Sequence, residues 1–388
     1  MSEQITDWLA NSEDDMIALL EKLVNTDSSS YDKKGVDAAG DVIAEFLKEH
    51  GISMDTIPIE THGDALRATV APSGQSGNRP ILLMGHRDTV FPKGEPVRRP
   101  FTIKDGIAYG PGVADMKGGL VINAFILAAF AKFGGSPAPL VGLFTGDEEI
   151  GSPSSRPHIE AEARNACAVF NSEPGRPSGN IVTGRKGGVF FRCTVEGKAA
   201  HSGANFQDGV SAIEELSRKI QAWHGLTDFD KGQTVNVGLI TGGQSINTVA
   251  PSASCQIDVR YVEPDDRQEI VGKITKIAKT CFVEGTSAAI DIQGEFRPLK
   301  QSDNSQSLFE QYSANANQAG LSIKGEFSGG CADSGFAAAV GAPTLCGVGP
   351  VGGEVHSPDE FLDLSSIVPR AQAIALTILG LQPPAKQN

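Results

Sequence analysis

The stretch Ile81-Leu82-Leu83-Met84-Gly85-His86-Arg87-Asp88 decides the architecture. Four consecutive apolar residues run into a glycine, as buried parallel strands do, and two polar residues of metal-ligand type follow. Leu140 to Phe144 and Ala166 to Phe170 repeat the apolar run, and a helix from about Gly118 to Phe133 lies between the first two. Two helices precede them: Glu13 to Thr26 with Ser12 as cap, and Gly35 to His50 closed by Gly51. This alternation predicts an α/β domain with a mostly parallel sheet, whose ligands gather at the carboxyl ends of the strands.

After Gly187-Gly188 the pattern changes. Strand Val189 to Val195, helix Val210 to Trp223, strands Gln233 to Ile240 and Ser254 to Val262, helix Asp266 to Thr280 and strand Ala288 to Gln293 follow. That β-α-β-β-α-β order is the split βαβ, ferredoxin-like arrangement. Residues 187–296 are therefore expected to form an inserted α+β domain, and residues 1–186 with 297–388 the catalytic domain. Helix Gln306 to Gly320 and the strand around Pro343 to Val348 return the chain to the latter.

Composition narrows the function. A chain of 388 residues exceeds the usual domain size, so two domains are the default. Its 40% hydrophobic and 21% charged residues are ordinary for a globular protein, and no apolar run long enough to span a bilayer is expected. A net charge of -14 argues against a nucleic-acid partner, because phosphate binding needs a dense basic surface. The polar, acidic start Met1-Ser2-Glu3-Gln4 has neither the basic region nor the apolar stretch of an export signal, so a cytoplasmic protein is expected. The six cysteines show no C-x-x-C spacing and read mainly as buried free thiols.

Ligand-type residues recur at the ends of these strands and in glycine loops. His86 and Asp88 share one side of an extended chain, so one can bind metal while the other orients it. Asp115 lies in Gly110-Pro111-Gly112-Val113-Ala114-Asp115-Met116-Lys117-Gly118-Gly119, which lacks the glycine spacing of a dinucleotide loop. Adjacent Glu148 and Glu149 leave a strand end in different directions, which permits one to coordinate metal and the other to move a proton. Glu173-Pro174 closes a further strand, and His356 follows a glycine turn. Taken singly, these also read as a surface turn, a helix cap or a solvated acidic pair. Together they describe a hydrolytic site for two divalent cations, where imidazole and carboxylate suit Zn²⁺.

As an ordered set, Gly85-His86-Arg87-Asp88-Thr89-Val90, the Asp115 loop, Asp147-Glu148-Glu149-Ile150-Gly151-Ser152, Ser172-Glu173-Pro174, Ala200-His201-Ser202-Gly203 and His356 resemble the M20 family of metallopeptidases over nearly the full chain. The branch resembled is that of glutamate carboxypeptidases (carboxypeptidase G2-like). The resemblance implies a zinc-exopeptidase-like catalytic domain and an insert serving as lid and dimerisation domain. Asp115 would bridge two metals, one also held by His86 and Glu173, the other by Glu149 and His356. Glu148 would be the general base, with Asp88 orienting His86. His201 would stabilise the oxyanion, in the partner subunit's site of a homodimer. Asn247 and Arg260 match positions that grip a substrate carbonyl or carboxylate, and Arg suits this through its bidentate fork. Arg176 and Lys186 are further candidates for anion recognition. Cys331 and Ala332 depart from the family's Ser-Asp stretch, and Glu354 replaces a small residue and is a candidate gate.

The expected activity is hydrolysis of an amide in a small N-acyl amino acid or peptide-like substrate, releasing a C-terminal amino acid. Zn²⁺ is the favoured cation, with Mn²⁺ or Co²⁺ as alternatives. Rival readings are an aminoacylase or deacetylase, a hydrolytic deaminase acting on an aromatic amine such as an aminobenzoate, and a noncatalytic binder. The last is disfavoured because a binder needs no general base.

Overall fold

Eight strands form the main sheet, in the order Met54–Ile57, Ala65–Val70, Leu140–Thr145, Ile81–His86, Ala168–Asn171, Thr344–Cys346, Ile181–Arg185 and Gly325–Ser328. The computed structural model describes residues 1–74 and 78–382. At the heart of the sheet, Ile81–His86 runs parallel to both its neighbours, and Thr344–Cys346 continues parallel to Ala168–Asn171. Antiparallel pairs enter towards the edges, as in a mixed, mostly parallel sheet. Ile81–His86 and Leu140–Thr145 are buried along their whole length, which is why their sequences are apolar without alternation.

The chain separates into two compact units, the first comprising Met1–Arg185, Leu299–Ser328 and the chain from Ala332 onward. Its core helix, Gly118–Lys132, is apolar on every face and almost entirely buried. By length and composition the stretch Val113–Lys132 is apolar enough to cross a membrane, contrary to the expectation that no such run exists. Its most apolar 18-residue window is 94% buried, as in a core helix.

The amino-terminal region differs in detail from the expected one. Ser2–Ala10 is a helix that the polar start concealed, because only Ile5 and Leu9, one turn apart, are buried. Ser12 does not cap the following helix with its side chain: its hydroxyl donates to the carbonyl of Trp8 at 2.7 Å. Gly51 does end the third helix, in the left-handed region at φ 74°. A small antiparallel sheet of Gly352–Gly353, Phe361–Asp363, Ile107–Tyr109 and Thr102–Lys104 was not expected, its strands being too short for periodicity to register. It brings the segment after His356 beside the segment before Asp115.

The second unit comprises Lys186–Pro298 with Gly329–Cys331. Its four strands stand in the antiparallel order Thr234–Gly242, Ser252–Tyr261, Gly187–Glu196, Ser287–Phe296. Helices Ala212–His224 and Asp266–Lys279 pack with the sheet around Phe191, Leu216, Trp223 and Ile274. Alternation along Gly187–Glu196 and Ser252–Tyr261 marks sheets with one face covered. All six cysteines are free, but only Cys193, Cys255 and Cys346 are buried, and Cys281 is exposed.

Candidate metal centre

Asp115 stands between the two histidines. Its Oδ1 lies 3.2 Å from His86 Nε2 and its Oδ2 3.3 Å from His356 Nε2. His356 Nε2 is also 3.2 Å from Glu149 Oε2, while His86 Nε2 is 3.7 Å from Glu173 Oε1 and 4.0 Å from Glu148 Oε2. The six residues therefore converge from separate strand ends and loops, where an open α/β sheet presents ligands. Asp115 is no helix cap: Lys117 holds the cap position of helix Gly118–Lys132, and the Asp115 carboxylate faces the imidazoles.

Donor atoms of His86, Asp115 and Glu149 lie within 4.8 Å of one another, as do those of His86, Glu148 and Glu173. This grouping differs from the one the family resemblance implies, which pairs Glu173 with Asp115 and sets Glu148 apart. The spacing of Asp115 and Glu149 to His356 accommodates the implied second set as well. His356 is half-exposed and adopts φ 64°, a left-handed conformation uncommon for a side chain of its size and concentrated at functional sites.

Asp88 organises the other residues. Its side-chain oxygen lies 3.4 Å from His86 Nδ1, on the far side of the ring from Asp115, and its carbonyl lies 3.0 Å from the same nitrogen. Its Oδ1 accepts from the amide of Glu148 at 3.1 Å, and its Oδ2 from the amide of Glu149 at 3.2 Å and from the hydroxyl of Ser30 at 2.7 Å. One buried carboxylate thus orients the imidazole and both glutamates.

The electrostatics are those of crowded buried anions. Burial, with the charges of Glu173, Asp333 and Glu149, pushes Glu148 well above the ordinary carboxylate range. Burial and the Asp115 charge push Glu149 up to about 7 and raise Glu173. Burial alone would raise Asp115, yet hydrogen bonding to His356 and His86 holds it below its usual range. His356 is pushed up to about 10 by hydrogen bonds to Asp115 and Glu149. Glu149 Oε1 and Glu173 Oε1 are buried without a hydrogen-bond partner among the described residues. Orphaned carboxylate oxygens beside two imidazoles fit divalent cations, which would satisfy both the lone pairs and the excess negative charge.

Sequence reasoning missed several residues here. Asp333 is buried and accepts hydrogen bonds from Ser152 and Thr145, and burial pushes it up to about 8. Arg185 Nη2 approaches Glu173 Oε2 at 3.7 Å while its Nε donates to Cys346 Sγ at 3.2 Å. Glu360 accepts from three backbone amides of the Asp115 loop. In the sequence, the segment that carries Asp333 stands out only by its departures at Cys331 and Ala332. Neither Arg185 nor Glu360 lies in a motif that announces a site.

The remaining candidates have local partners. Arg176 Nη2 donates to Ser328 Oγ at 2.6 Å. In the second unit, Lys186 Nζ donates to the Gly232 carbonyl at 2.5 Å, and its ammonium holds a loop. His201 and Asn247 are exposed neighbours, since the Ser202 amide donates to the Asn247 carbonyl at 3.0 Å. Two backbone amides, Gly203 and Ala204, donate to His201 Nδ1 at 3.2 and 3.1 Å. Arg260 has its fork on Asp258, at 2.7 and 3.1 Å, donates to Cys331 Sγ at 2.7 Å, and lies 5.2 Å from the ring centre of Phe190. Glu354 is exposed, at φ 52°.

Fold and donor set together define a metallohydrolase. Residues 82–380 match the model of peptidase family M20/M25/M40, and the chain belongs to that family. It is an enzyme of the metallopeptidase and amidohydrolase class. It is 29% identical to carboxypeptidase G2 of Pseudomonas sp. (strain RS-16), over 94% of this chain and 89% of the relative. It is 26% identical to acetylornithine deacetylase of Proteus mirabilis (strain HI4320), over 93% and 95% of the two chains. Among solved structures, an M20 family metallo-carboxypeptidase from Sulfolobus solfataricus shares the fold with a TM-score of 0.78 at 18% identity, over 94% of this chain and 98% of that one.

Proposed function

We propose that the protein is a glutamate-type carboxypeptidase: it hydrolyses the amide of a small N-acyl amino acid or peptide-like substrate and releases the C-terminal amino acid. The observation that carries the chemistry is the Asp115 carboxylate, whose two oxygens each meet a different histidine. The substrate class is supported by the likeness to carboxypeptidase G2.

In this reading Asp115, His86, Glu173, Glu149 and His356 would hold two divalent cations, Zn²⁺ foremost. When bound, the cations supply Lewis acidity to the amide carbonyl and to the attacking water. Glu148 takes the proton of that water and passes it to the leaving amine. Burial and neighbouring carboxylates favour its protonated form, which suits the second half of that transfer. Asp88 fixes the tautomer of His86 and the path of the backbone through both glutamates. Because His201 Nδ1 accepts two amides, a neutral ring carries its proton on Nε2, which makes that nitrogen a donor for an oxyanion. Asn247 and Arg176, with Arg260 and Lys186 once they exchange their present partners Asp258 and Gly232, recognise the substrate's carboxylate and carbonyl. Glu354, two positions before His356 and exposed, is the candidate gate of the site.

The second unit serves as lid and dimerisation domain, so that His201 acts in the partner's site. Mixing a His201→Ala variant with a Glu148→Gln variant tests this. Recovered activity at about a quarter to a half of wild type supports exchange of His201 between subunits, since each mixed dimer then holds one complete site and one that lacks both residues, and no recovery from a mixture shown to form mixed dimers sinks it.

Product analysis by mass spectrometry, on metal-loaded enzyme with an EDTA control, tests the activity across N-acyl amino acids, aroyl glutamates, dipeptides and aminobenzoates. Metal-dependent release of free glutamate or aspartate supports the carboxypeptidase reading. Release of acetate alone would move the protein to the deacetylase reading, which the likeness to acetylornithine deacetylase favours as the second choice. Ammonia alone would point to a deaminase.

A further inference from the structure

Glu360 is fully buried, yet its carboxylate is spent on backbone. Oε2 accepts from the amide of Gly112 at 3.0 Å, and Oε1 from the amides of Ala114 at 2.9 Å and Asp115 at 3.0 Å. Gly112 lies in the left-handed region at φ 72°, a conformation glycine adopts without a Cβ penalty, and neighbouring amides of this loop turn towards one point. On its other side, the Glu360 amide donates to the Ser357 carbonyl at 3.3 Å, directly beyond His356. The next residue, Phe361, pairs with Tyr109 in the small sheet. One residue therefore ties the loop that carries Asp115 to the turn that carries His356.

We propose that Glu360 is a positioning residue for both cation positions: it sets the shared Asp115 and the His356 turn in register, although it supplies no ligand itself. The inference rests on the dinuclear reading above. Three backbone amides that donate to one carboxylate fix where the Asp115 Cα sits, and a shared ligand moved by a fraction of an ångström would be moved for both cations. Removing His356 would weaken one position, whereas removing Glu360 weakens both.

A glutamine tests this at the level of single atoms. In Glu360→Gln one orientation keeps an oxygen on Ala114 and Asp115 and sets the amide nitrogen against the Gly112 N–H, while the flipped one sets it against the Ala114 and Asp115 N–H, so a donor meets a donor either way. Zn²⁺ binding is measured by equilibrium dialysis with metal analysis at buffered free Zn²⁺, alongside circular dichroism and melting of the metal-free protein. The expected result is a loss of affinity of ~10–100-fold at both positions with the fold retained, and activity regained at raised Zn²⁺. Glu360→Ala should show a larger loss; should it fail to fold, the glutamine variant, which keeps the volume, carries the test.

Glu215→Gln is the matched control, a buried carboxylate of the second unit that accepts from the amides of Phe282 at 2.8 Å and Val283 at 2.6 Å. It should lower the melting temperature and leave Zn²⁺ affinity unchanged. Two equivalents bound by Glu360→Gln at wild-type affinity would overturn the proposal, as would a loss confined to one position or an equal loss in Glu215→Gln. Wild-type protein that binds no divalent cation would instead overturn the dinuclear reading, and this inference with it.

Discussion

Glu148 is buried, its backbone amide donates to Asp88 Oδ1, and its carboxylate reaches within 4.0 Å of His86. Its geometry suits proton transfer more than structural support. Replacing it by glutamine is expected to lower kcat by ~10²–10⁴-fold while two equivalents of metal remain bound, as general acid–base groups typically contribute that much. Steady-state kinetics with metal analysis on the same sample checks this, and wild-type turnover in Glu148→Gln would remove the assigned base. At this scale the converging residues were readable because each sits in a short segment with its own signature, a strand end or a glycine turn. Glu360 was not readable: its partners Gly112, Ala114 and Asp115 lie about 250 positions away in the chain. Nor could residue type reveal that Arg260 already holds Asp258 and Cys331.

Gly119 shows how elements, rather than residues, build the centre. The second residue of the core helix Gly118–Lys132, it packs so tightly on the carbonyl of Ser172 that a Cβ would stand inside it. Ser172 immediately precedes Glu173, so helix and strand end approach each other only because this position lacks a side chain. Gly119→Ala is expected to destabilise the protein by ~1–3 kcal/mol, the usual cost of overpacking. It should also weaken metal binding through the displaced Glu173. Chemical denaturation with parallel metal titration checks both, and a variant as stable and as metal-loaded as wild type would refute the packing argument. The long, apolar strands and the core helix were legible to within a few residues, since hydrophobic runs report directly on burial. The first helix and the small sheet around Phe361–Asp363 were not, because two buried side chains or a three-residue strand leave no period to read.

Across the whole molecule, the concentration of buried acid ties stability to pH and to metal. In metal-free protein, Glu149 and Asp333 hold their protons more tightly when folded than when unfolded, with values pushed up to about 7 and about 8 by burial. A raised carboxyl contributes stability at low pH, and that contribution is lost as pH climbs from the unfolded value through the folded one. The EDTA-treated protein is therefore expected to melt at progressively lower temperature as pH rises from about 5 to about 8. Saturating Zn²⁺ should reduce that fall, because cations neutralise the same carboxylates and compete with protons for them. A melting temperature that rises with pH in EDTA would contradict the sign of the effect.

By itself the sequence determined the α/β class, the ferredoxin-like order of the second unit and the set of ligand-type residues. Hydrophobic periodicity, glycine turns and side-chain chemistry are properties of short segments, and a single chain displays them without knowledge of its fold. Only the tertiary structure decided that Asp115 stands between His86 and His356, that Asp88 orients both glutamates, and that Glu360 clamps the Asp115 loop. Those relations depend on distances between residues remote in the chain, which are set by how the sheet, core helix and small strands pack against one another.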